Sequence, residues 1–364
     1  MTLRVIIYRL GVIPLLLLLC ILAACSQQDL DQEKQGMVSL KVLASPGTKA
    51  GEGGTATATL PAKETDIFDL SIFIFNSNGD VIGFTSKDFS DGKPTAVVVK
   101  TRKATGCSVY AVANAKTLNK GTSPFDGVST LSVFQARYLS FADAKAPNKD
   151  KCLLMMGVSS NFDTSSASSA SPAIITLKRL ASRIDYTITV KNDNATTFPI
   201  VVDSYQLCNV PTSTLYQQSD FTNPSMPSST TFADLDKVPT SISSGAAATS
   251  ADPYYVYANG NTDPDPNSSN GTYLDIHAHS EVQGAGGTKY TVWKSNFQVK
   301  MPGNHVLPNY HYKIDIVING SVEGKNGGVI TTYKAYPFFS GGNLDKWNDH
   351  WNEDGTGDVK IDLE

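Results

Sequence analysis

Two histidines are the first residues whose type and spacing suggest chemistry. His277 and His279 lie two apart in "TYLDIHAH", so a strand places both on one face, where they could share a metal ion. Structural zinc needs four ligands, however, and the sequence places no further ligand beside this pair. An exposed strand face explains the spacing better, and we therefore predict no metal site.

A run of carboxylates in "DKWNDHWNEDGTGD" (Asp345–Asp358) has the composition of a calcium loop. It lacks the D-x-[DN]-x-[DN]-G spacing that arranges carboxylates around one calcium ion. A solvated acidic loop, with Trp347 and Trp351 packed against the domain, is the better interpretation. The sequence also contains no GK[ST] phosphate loop, no G-x-S-x-G turn and no H-E-x-x-H motif. We therefore predict neither an enzyme nor a bound cofactor.

Cys25 has the sequence context of a lipid attachment site. The first residues include Arg4 and Arg9 but no acid, and an apolar run then ends in "LAAC", which closes with Cys25. A membrane-spanning helix is the alternative, but Arg9 and Pro14 interrupt the run. We predict a lipoprotein signal peptide over residues 1–24. Cys25 then becomes the lipid-bearing N-terminus (palmitate) and attaches the chain to the outer membrane.

The cysteines beyond this position are Cys107, Cys152 and Cys208. An odd number cannot be fully paired, and no C-x-x-C spacing is present. Two of them lie in strand-like segments, where a cysteine behaves as a small apolar residue. We expect three buried thiols rather than a disulfide.

Lys49 is a predicted proteolytic cleavage site. It stands between a Pro-Gly pair and a run of glycines in "SPGTKAGEGG", where the backbone can enter a protease cleft. We expect the cut between Lys49 and Ala50. Arg179 and Arg183 are equally basic, but they lie in a predicted strand and should resist cleavage.

The elements around these positions are predicted to be strands. The chain has 364 residues, about two domains, with 41% hydrophobic residues and a net charge of −4, which disfavours binding to nucleic acid. Ile67–Phe84 predicts a hairpin that turns at Asn78-Gly79. Val128–Leu139 is the one plausible helix of the first half. Alternating strands separated by Asn-, Gly- and Pro-rich turns fill the second half, which favours an all-β, sandwich-like fold.

The two ends of the chain carry the same strand pattern. "VSLKV" and "VKIDL" both alternate apolar and polar residues, and either could fill the same three pockets of a sheet groove. If a protease cuts after Lys49, the first strand can leave, and a terminal strand from another copy can close the groove by β-augmentation. The displaced apolar residues are Val38, Leu40 and Val42, and the donor residues are Val359, Ile361 and Leu363.

Several segments, in order and spacing, resemble the FimA-type fimbrillins, also called type V pilins. "VSLKVLASPGTKA" resembles the strand and cleavage position that precede the mature protein, with Lys49 where Arg is common. "LSIFIFNSNGDV" and "VYAVANAKTL" resemble strands of the N-terminal domain. "LKRLASRIDYTITV" resembles the segment that joins the domains, and "PNYHYKIDIVING" resembles a strand of the C-terminal domain.

The resemblance implies two β-sandwich (transthyretin-like) domains, with a boundary that we place near Arg179. Residues 1–24 are then the signal peptide, 25–49 the tether and removable strand, 50–179 the N-terminal domain and 180–364 the C-terminal domain. It further implies export as a lipoprotein, maturation by a trypsin-like protease and strand-exchange polymerisation at the cell surface. The partners are other copies of the chain and accessory fimbrial subunits.

We therefore expect a structural, adhesion-supporting subunit of a surface fimbrium (pilus). Two alternatives remain open at this point. The chain could be an accessory anchor or tip subunit of the same system. It could instead be a monomeric glycan-binding surface lipoprotein, if the aromatic strands "PYYVYAN" and "TKYTVW" formed an exposed platform for sugars.

Overall fold

The fold is described from a computed structural model of the chain. The described residues are 35–44, 61–141, 147, 150–165, 173–191, 200–243, 247–249, 253–260, 270–283, 285–287, 289–301, 305–319, 329–332 and 359–363. Among these residues, no helix has the length and apolar character needed to cross a membrane.

Nearly all regular structure is β, and the all-β prediction is confirmed. The strands of the first half are β1 (Gln35–Ala44), β2 (Asp69–Phe75), β3 (Val81–Asp88), β4 (Val97–Arg102), β5 (Cys107–Ala113), β6 (Tyr138–Ser140), β7 (Met155–Phe162) and β8 (Ala173–Arg179). The first strands of the second half are β9 (Ala181–Lys191), β10 (Ile200–Cys208), β11 (Val210–Pro211), β12 (Ser213–Leu215), β13 (Phe232–Ala233), β14 (Val238–Ile242) and β15 (Ala247–Thr249). The remaining strands are β16 (Tyr254–Tyr257), β17 (Tyr273–Gln283), β18 (Lys289–Lys300), β19 (His311–Asn319), β20 (Val329–Thr332) and β21 (Val359–Leu363). The α-helices are α1 (Ala115–Leu118) and α2 (Leu131–Gln135), and Ala62–Glu64 and Ala285–Gly287 form 3-10 turns.

The described strands of the first half, except β6, form one sheet that closes on itself. Its hydrogen-bonded order is β1-β4-β3-β2-β5-β7-β8, a closed barrel in which β1 joins the two ends of the path. Strand β4 alternates buried and exposed residues, whereas β2 is buried along its whole length. The difference arises because one side of the barrel is covered by a second layer and the other side faces solvent.

That second layer connects the two halves of the chain. Phe73 and Phe75 on β2 point away from the barrel interior and pack against Phe134 of α2. Tyr255 and Tyr257 of β16 belong to the same buried cluster. The outer side of the barrel around β2 is therefore sealed by side chains from both halves.

The predicted hairpin is present. β2 pairs with β3 in antiparallel register, with Phe73 opposite Phe84. Gly79 in the turn has φ of 84°, a conformation that glycine adopts without steric cost. The Asn-Gly signal therefore located the turn correctly.

The predicted helix over Val128–Leu139 is only partly correct. Its helical part is α2, which begins where the Thr130 side chain accepts a hydrogen bond from the Val133 N–H. Leu139 instead lies in β6, opposite Thr214 of β12. Tertiary strand pairing thus overrides the helical spacing of the apolar residues. Helix α1 was not predicted, because four residues carry too little pattern.

Among the described residues of the second half, the two larger sheets enclose one core. The first has the order β14-β10-β17-β18-β21, and the second is β15-β9-β19-β20, with β16 also paired to β9. Buried side chains from both sheets form a single cluster that includes Ile188, Val202, Ile276 and Ile316. The chain passes from barrel to second core at Leu180, between the end of β8 and the start of β9.

Candidate functional site

Strand β1 closes the barrel, and it does so through two different ladders. It pairs with β4 in antiparallel register, from Gln35 opposite Arg102 to Leu40 opposite Val97. Its other edge pairs with β8 in parallel register, beginning where Leu40 lies opposite Ala173. Each ladder satisfies backbone groups that would otherwise be unpaired at a sheet edge. Without β1, the barrel is an open sheet that ends at β4 and β8.

The apolar side chains of β1 belong to the barrel core. Val38 and Leu40 are 0% exposed and Val42 is 2% exposed. They pack in the same cluster as Val99 of β4 and Ile175 of β8. Burying three such side chains contributes roughly 5–9 kcal/mol by area alone. The strand is therefore a structural part of the barrel, and its loss would open the core.

Strand β21 is held differently from β1. It pairs with β18 in antiparallel register, with Val359 opposite Val299 and Ile361 opposite Phe297. Within the part of the chain that the structure describes, β21 is the edge strand of its sheet and has one neighbour. An edge strand of five residues with one ladder is easier to detach than a strand that is paired on both edges.

Residues 61–64, the first described residues after the predicted cleavage site, enter the fold at a buried carboxylate. Glu64 is 4% exposed and lies at the end of the 3-10 turn Ala62–Glu64. Its Oε1 accepts hydrogen bonds from the Tyr255 hydroxyl at 2.8 Å and from Arg183 Nη1 at 3.2 Å. Its backbone oxygen accepts one from Arg179 Nε at 2.8 Å. Glu64 is thus tied to both halves of the chain.

Burial changes the pKa values of two partners of Glu64, Tyr255 and Arg179. Burial raises the pKa of the Tyr255 hydroxyl, and the Glu64 carboxylate raises it further. Burial lowers the pKa of Arg179, although Glu64 partly opposes that effect. The phenol therefore stays protonated and can donate to Glu64, which satisfies the buried carboxylate.

Several predicted site residues lie outside the described residues. Cys25, Lys49 and Ala50 are among them, so lipidation and cleavage remain predictions. Both of the alternative basic positions are in strands, Arg179 in β8 and Arg183 in β9. Arg179 is only 7% exposed.

The three internal cysteines are buried and free. Burial raises the pKa of the Cys152 thiol to about 12 and that of Cys208 to about 12 as well. A thiol that stays protonated is a poor nucleophile and metal ligand. These cysteines act as small core residues.

The paired histidines each have a carboxylate partner. His277 Nε2 lies 2.9 Å from Asp275 Oδ2, and His279 Nδ1 lies 2.7 Å from Asp203 Oδ1. The two rings thus bind different carboxylates. The described residues contain no group of three or more side chains placed to hold a metal ion. The acidic run Asp345–Asp358 lies outside the described residues.

The aromatic segment "PYYVYAN" forms β16, and its rings do not form a sugar platform. Tyr255 is 4% and Tyr257 is 1% exposed, and Phe141 stacks on Tyr257 at 5.0 Å between ring centroids. Tyr254 is half-buried and stacks on Tyr186. Since these rings pack inward, the interpretation of this strand as an exposed glycan platform was wrong.

Sequence reasoning missed Glu64, the residue that joins the two halves. A single Glu in "PAKETD" resembles any loop carboxylate, and its partner Tyr255 is 191 positions away. The sequence shows only the two basic partners, Arg179 and Arg183, in the predicted strand at the domain junction. Two arginines in one predicted strand are the sole sequence signal that could have indicated a buried acidic partner.

Comparison with known proteins finds one family model that matches the first half of the chain. Residues 37–199 match the model of the major fimbrial subunit protein (FimA), a range that includes β1 and the rest of the barrel. No curated protein matches the chain.

Solved structures share the fold. A candidate cell adhesion protein from Parabacteroides distasonis superposes with a TM-score of 0.58 at 18% identity, over 83% of this chain and 96% of the other. A candidate cell adhesion protein from Bacteroides eggerthii gives 0.52 at 17% identity, over 91% and 95%. A fimbrilin from Porphyromonas gingivalis gives 0.50 at 15% identity, over 83% and 97%. Residues 37–199 are therefore similar to the FimA major fimbrial subunit, and the chain shares its fold with solved adhesion proteins and a fimbrilin.

Proposed function

We propose that the chain is a structural subunit of a cell-surface fimbrium, made as a lipoprotein precursor and polymerised by strand exchange. The observation that carries the proposal is the position of β1. It closes the barrel and buries Val38, Leu40 and Val42, yet it lies before a sequence with the features of a cleavage site. The match of residues 37–199 to the model of a major fimbrial subunit supports the same role.

Cleavage after Lys49 would convert β1 from a covalent part of the chain into a bound peptide. It would then be held by its two ladders and by the burial of its apolar side chains. Residues from 61 onward would remain attached, because Glu64 is bonded to Tyr255 and Arg183. The mature subunit thus keeps its fold at the domain junction while its barrel can open.

A strand from the next subunit would then close the barrel. We propose β21 as the main part of that donor, since it alternates apolar residues at the same spacing as β1. Moving from the edge of its own sheet to the β1 groove would give this segment two neighbouring strands in place of one. The exchange would therefore be favoured by an additional backbone ladder.

Before cleavage, the lipid on Cys25 would attach the precursor to the outer membrane. A trypsin-like protease would release it, and the partners would be further copies and accessory fimbrial subunits. An anchor subunit would keep its lipid, and a tip subunit would not donate a terminal strand. The glycan-binding alternative has less support, because the rings of β16 face the core.

The decisive experiment is mass spectrometry of the protein from the cell surface, reading the N-terminus of assembled fimbriae and of the precursor. We expect assembled chains to begin at Ala50 and the precursor to begin at an acylated Cys25. The Cys25→Ala variant should lose both the acyl group and membrane attachment. Assembled chains that begin at Cys25 would identify an anchor and overturn the proposed polymerising subunit.

A further inference from the structure

One outer side of the barrel combines exposed apolar and basic side chains. It is formed by the solvent-facing positions of β4, β1 and β8, which are neighbours in the barrel, and we call it the basic face. Its apolar members are Met37, Ile174 and Val98, which are 68%, 62% and 49% exposed. Its exposed cations are Lys41, Lys100, Arg102 and Lys178.

These residues are brought together by strand register. Met37 lies opposite Lys100 on β4, and Lys41 lies opposite Ile174 on β8. Apolar and basic side chains are therefore direct neighbours across the three strands. Exposed apolar residues that occur singly need no explanation, but a contiguous group across neighbouring strands marks an interaction surface.

The basic face contains no acidic residue to neutralise it. Strands β1, β4 and β8 contain no Asp or Glu in their sequences, although the whole chain has a net charge of −4. The opposite side of the barrel is already covered, because Phe73 and Phe75 lie in the cluster shared with the second half. The basic face is thus the open side of the barrel, and its charge selects an anionic partner.

We propose that the basic face docks the precursor onto an anionic lipid surface, a proposal that rests on the proposed lipidation of Cys25. Residues 26–34 alone separate Cys25 from the start of β1. Even fully extended, this stretch spans only about 35 Å. A lipid at Cys25 would therefore keep β1 close to the membrane, and Met37 lies near the tethered end of that strand.

The chemistry of the face fits a lipid surface better than a second copy of the chain. Lys and Arg attract anionic headgroups, and exposed Met, Ile and Val side chains can enter the interfacial layer. A symmetric dimer through this face would instead bring two sets of cations together without any acid between them. Like charges placed opposite each other would disfavour that contact.

The removable strand contributes directly to the basic face. Met37 and Lys41 belong to β1, so cleavage at Lys49 and release of β1 would remove them together with the lipid. A single cut would thereby end the covalent attachment and weaken the protein contact with the membrane. The precursor would be held at the surface and the mature subunit would be free to leave it.

The test uses the Cys25→Ala precursor, which cannot be lipidated, and large unilamellar vesicles. We expect it to co-sediment with vesicles containing phosphatidylglycerol and not with pure phosphatidylcholine vesicles, and binding should weaken as salt is added. Because each cation near an anionic membrane changes binding about fivefold, Lys100→Glu with Arg102→Glu should lower the partition coefficient at least about tenfold. Val98→Ser with Ile174→Ser should lower it as well.

The matched control is Lys120→Glu with Lys237→Glu, which changes the net charge by the same amount at exposed positions outside the basic face. Circular dichroism and thermal unfolding verify that each variant is folded. Equal binding to both vesicle types, or equal loss in the control pair, overturns the proposal. Sedimentation that depends on protein concentration without vesicles assigns the face to a second copy and also overturns it. None of these readouts depends on cleavage or polymerisation.

Discussion

The hydroxyl of Tyr255 donates a 2.8 Å hydrogen bond to Oε1 of Glu64, across 191 positions of sequence. Glu64 precedes the barrel strands β2–β8, and Tyr255 lies in β16 of the second half. The same carboxylate contacts Arg183. This contact fixes residues 62–64, which follow the predicted cut, against the second half, so their position does not depend on β1.

Tyr255→Phe should destabilise the protein by about 1.5–3 kcal/mol, because the buried Glu64 carboxylate loses a charged hydrogen bond. Urea unfolding followed by circular dichroism measures the change. Tyr254→Phe is the matched control on the same strand, since the Tyr254 hydroxyl accepts a 3.3 Å hydrogen bond from the uncharged Tyr186 hydroxyl. Its cost should be about 0.5–1.5 kcal/mol. If the Tyr254 variant were the less stable of the two, the role assigned to Glu64 would be wrong.

Asp185 should make stability depend on pH in the acid range. Burial alone raises the pKa of its carboxyl, but hydrogen bonding with His311 and the nearby Arg183 guanidinium outweigh burial and lower it. Because the pKa of this carboxyl is lower in the folded than in the unfolded state, its ionisation stabilises the fold. That contribution is fully present above the unfolded-state pKa of about 4 and is lost as the pH falls through the folded-state pKa.

The free energy of unfolding of wild type should therefore exceed that of Asp185→Asn most clearly near pH 6. The difference should shrink as the pH falls below about 4. Denaturant unfolding at a series of pH values checks this. Asp315→Asn, at an exposed position on β19, serves as the control and should show no such trend. A difference that grew with acidity would contradict the assignment.

The features of the fold and of the candidate site that the sequence predicts are those that depend on neighbouring residues in the chain. The alternation of Val38, Leu40 and Val42 predicted a strand with one buried side, because a period of two fixes which residues share a face. The same signal could not show that β1 pairs with β4 in one direction and β8 in the other. Those neighbours are distant in sequence, and the residues of β1 alone do not indicate whether a pairing is parallel or antiparallel.

The predicted helix over Val128–Leu139 shows where a local pattern gives a wrong prediction. Leu131 and Phe134 have helical spacing and do lie in α2, but Leu139 pairs with β12. Pairing with a distant strand determines the secondary structure of Leu139, and the sequence around Leu139 does not indicate that pairing. The buried network around Glu64 is of the same kind, because burial of a polar side chain depends on partners from both halves.

Leu40→Ala should destabilise the uncleaved precursor by about 2–5 kcal/mol, since it leaves a cavity in the closed barrel. Leu40 is 0% exposed, whereas the adjacent Lys41 is exposed. Lys41→Ala should therefore change the free energy of unfolding by less than about 0.5 kcal/mol. Urea unfolding of both variants provides the comparison. Equal effects would show that β1 does not contribute to the barrel core in solution.

Lys49→Gln should block maturation without affecting the fold. A trypsin-like protease needs a basic residue at the cut, and the alternative sites Arg179 and Arg183 are in strands. Limited trypsin digestion followed by N-terminal sequencing should give Ala50 for wild type and no such product for the variant. Arg183→Gln, the control, should still be cut at Lys49. Removal of β1 from the Lys49→Gln chain by cleavage elsewhere would disprove the assigned site.

Deletion of Asp358–Glu364 should leave a folded precursor that is still cut at Lys49 but cannot elongate. β21 has one neighbouring strand among the described residues, so the sheet loses an edge strand rather than an internal one. Ile361→Asp should have nearly the same effect on elongation, because burying an unpaired carboxylate in the β1 groove costs several kcal/mol.

Lys360→Ala is the matched control for Ile361→Asp. It should polymerise like wild type, because alternate residues of a strand face opposite sides and Lys360 would remain outside the barrel core. The measurement is the ladder of polymers on a denaturing gel without boiling, after trypsin treatment of the purified precursor. Full-length ladders from the deletion variant would rule out β21 as the donor, and a loss of ladders in Lys360→Ala equal to that in Ile361→Asp would rule out the proposed register.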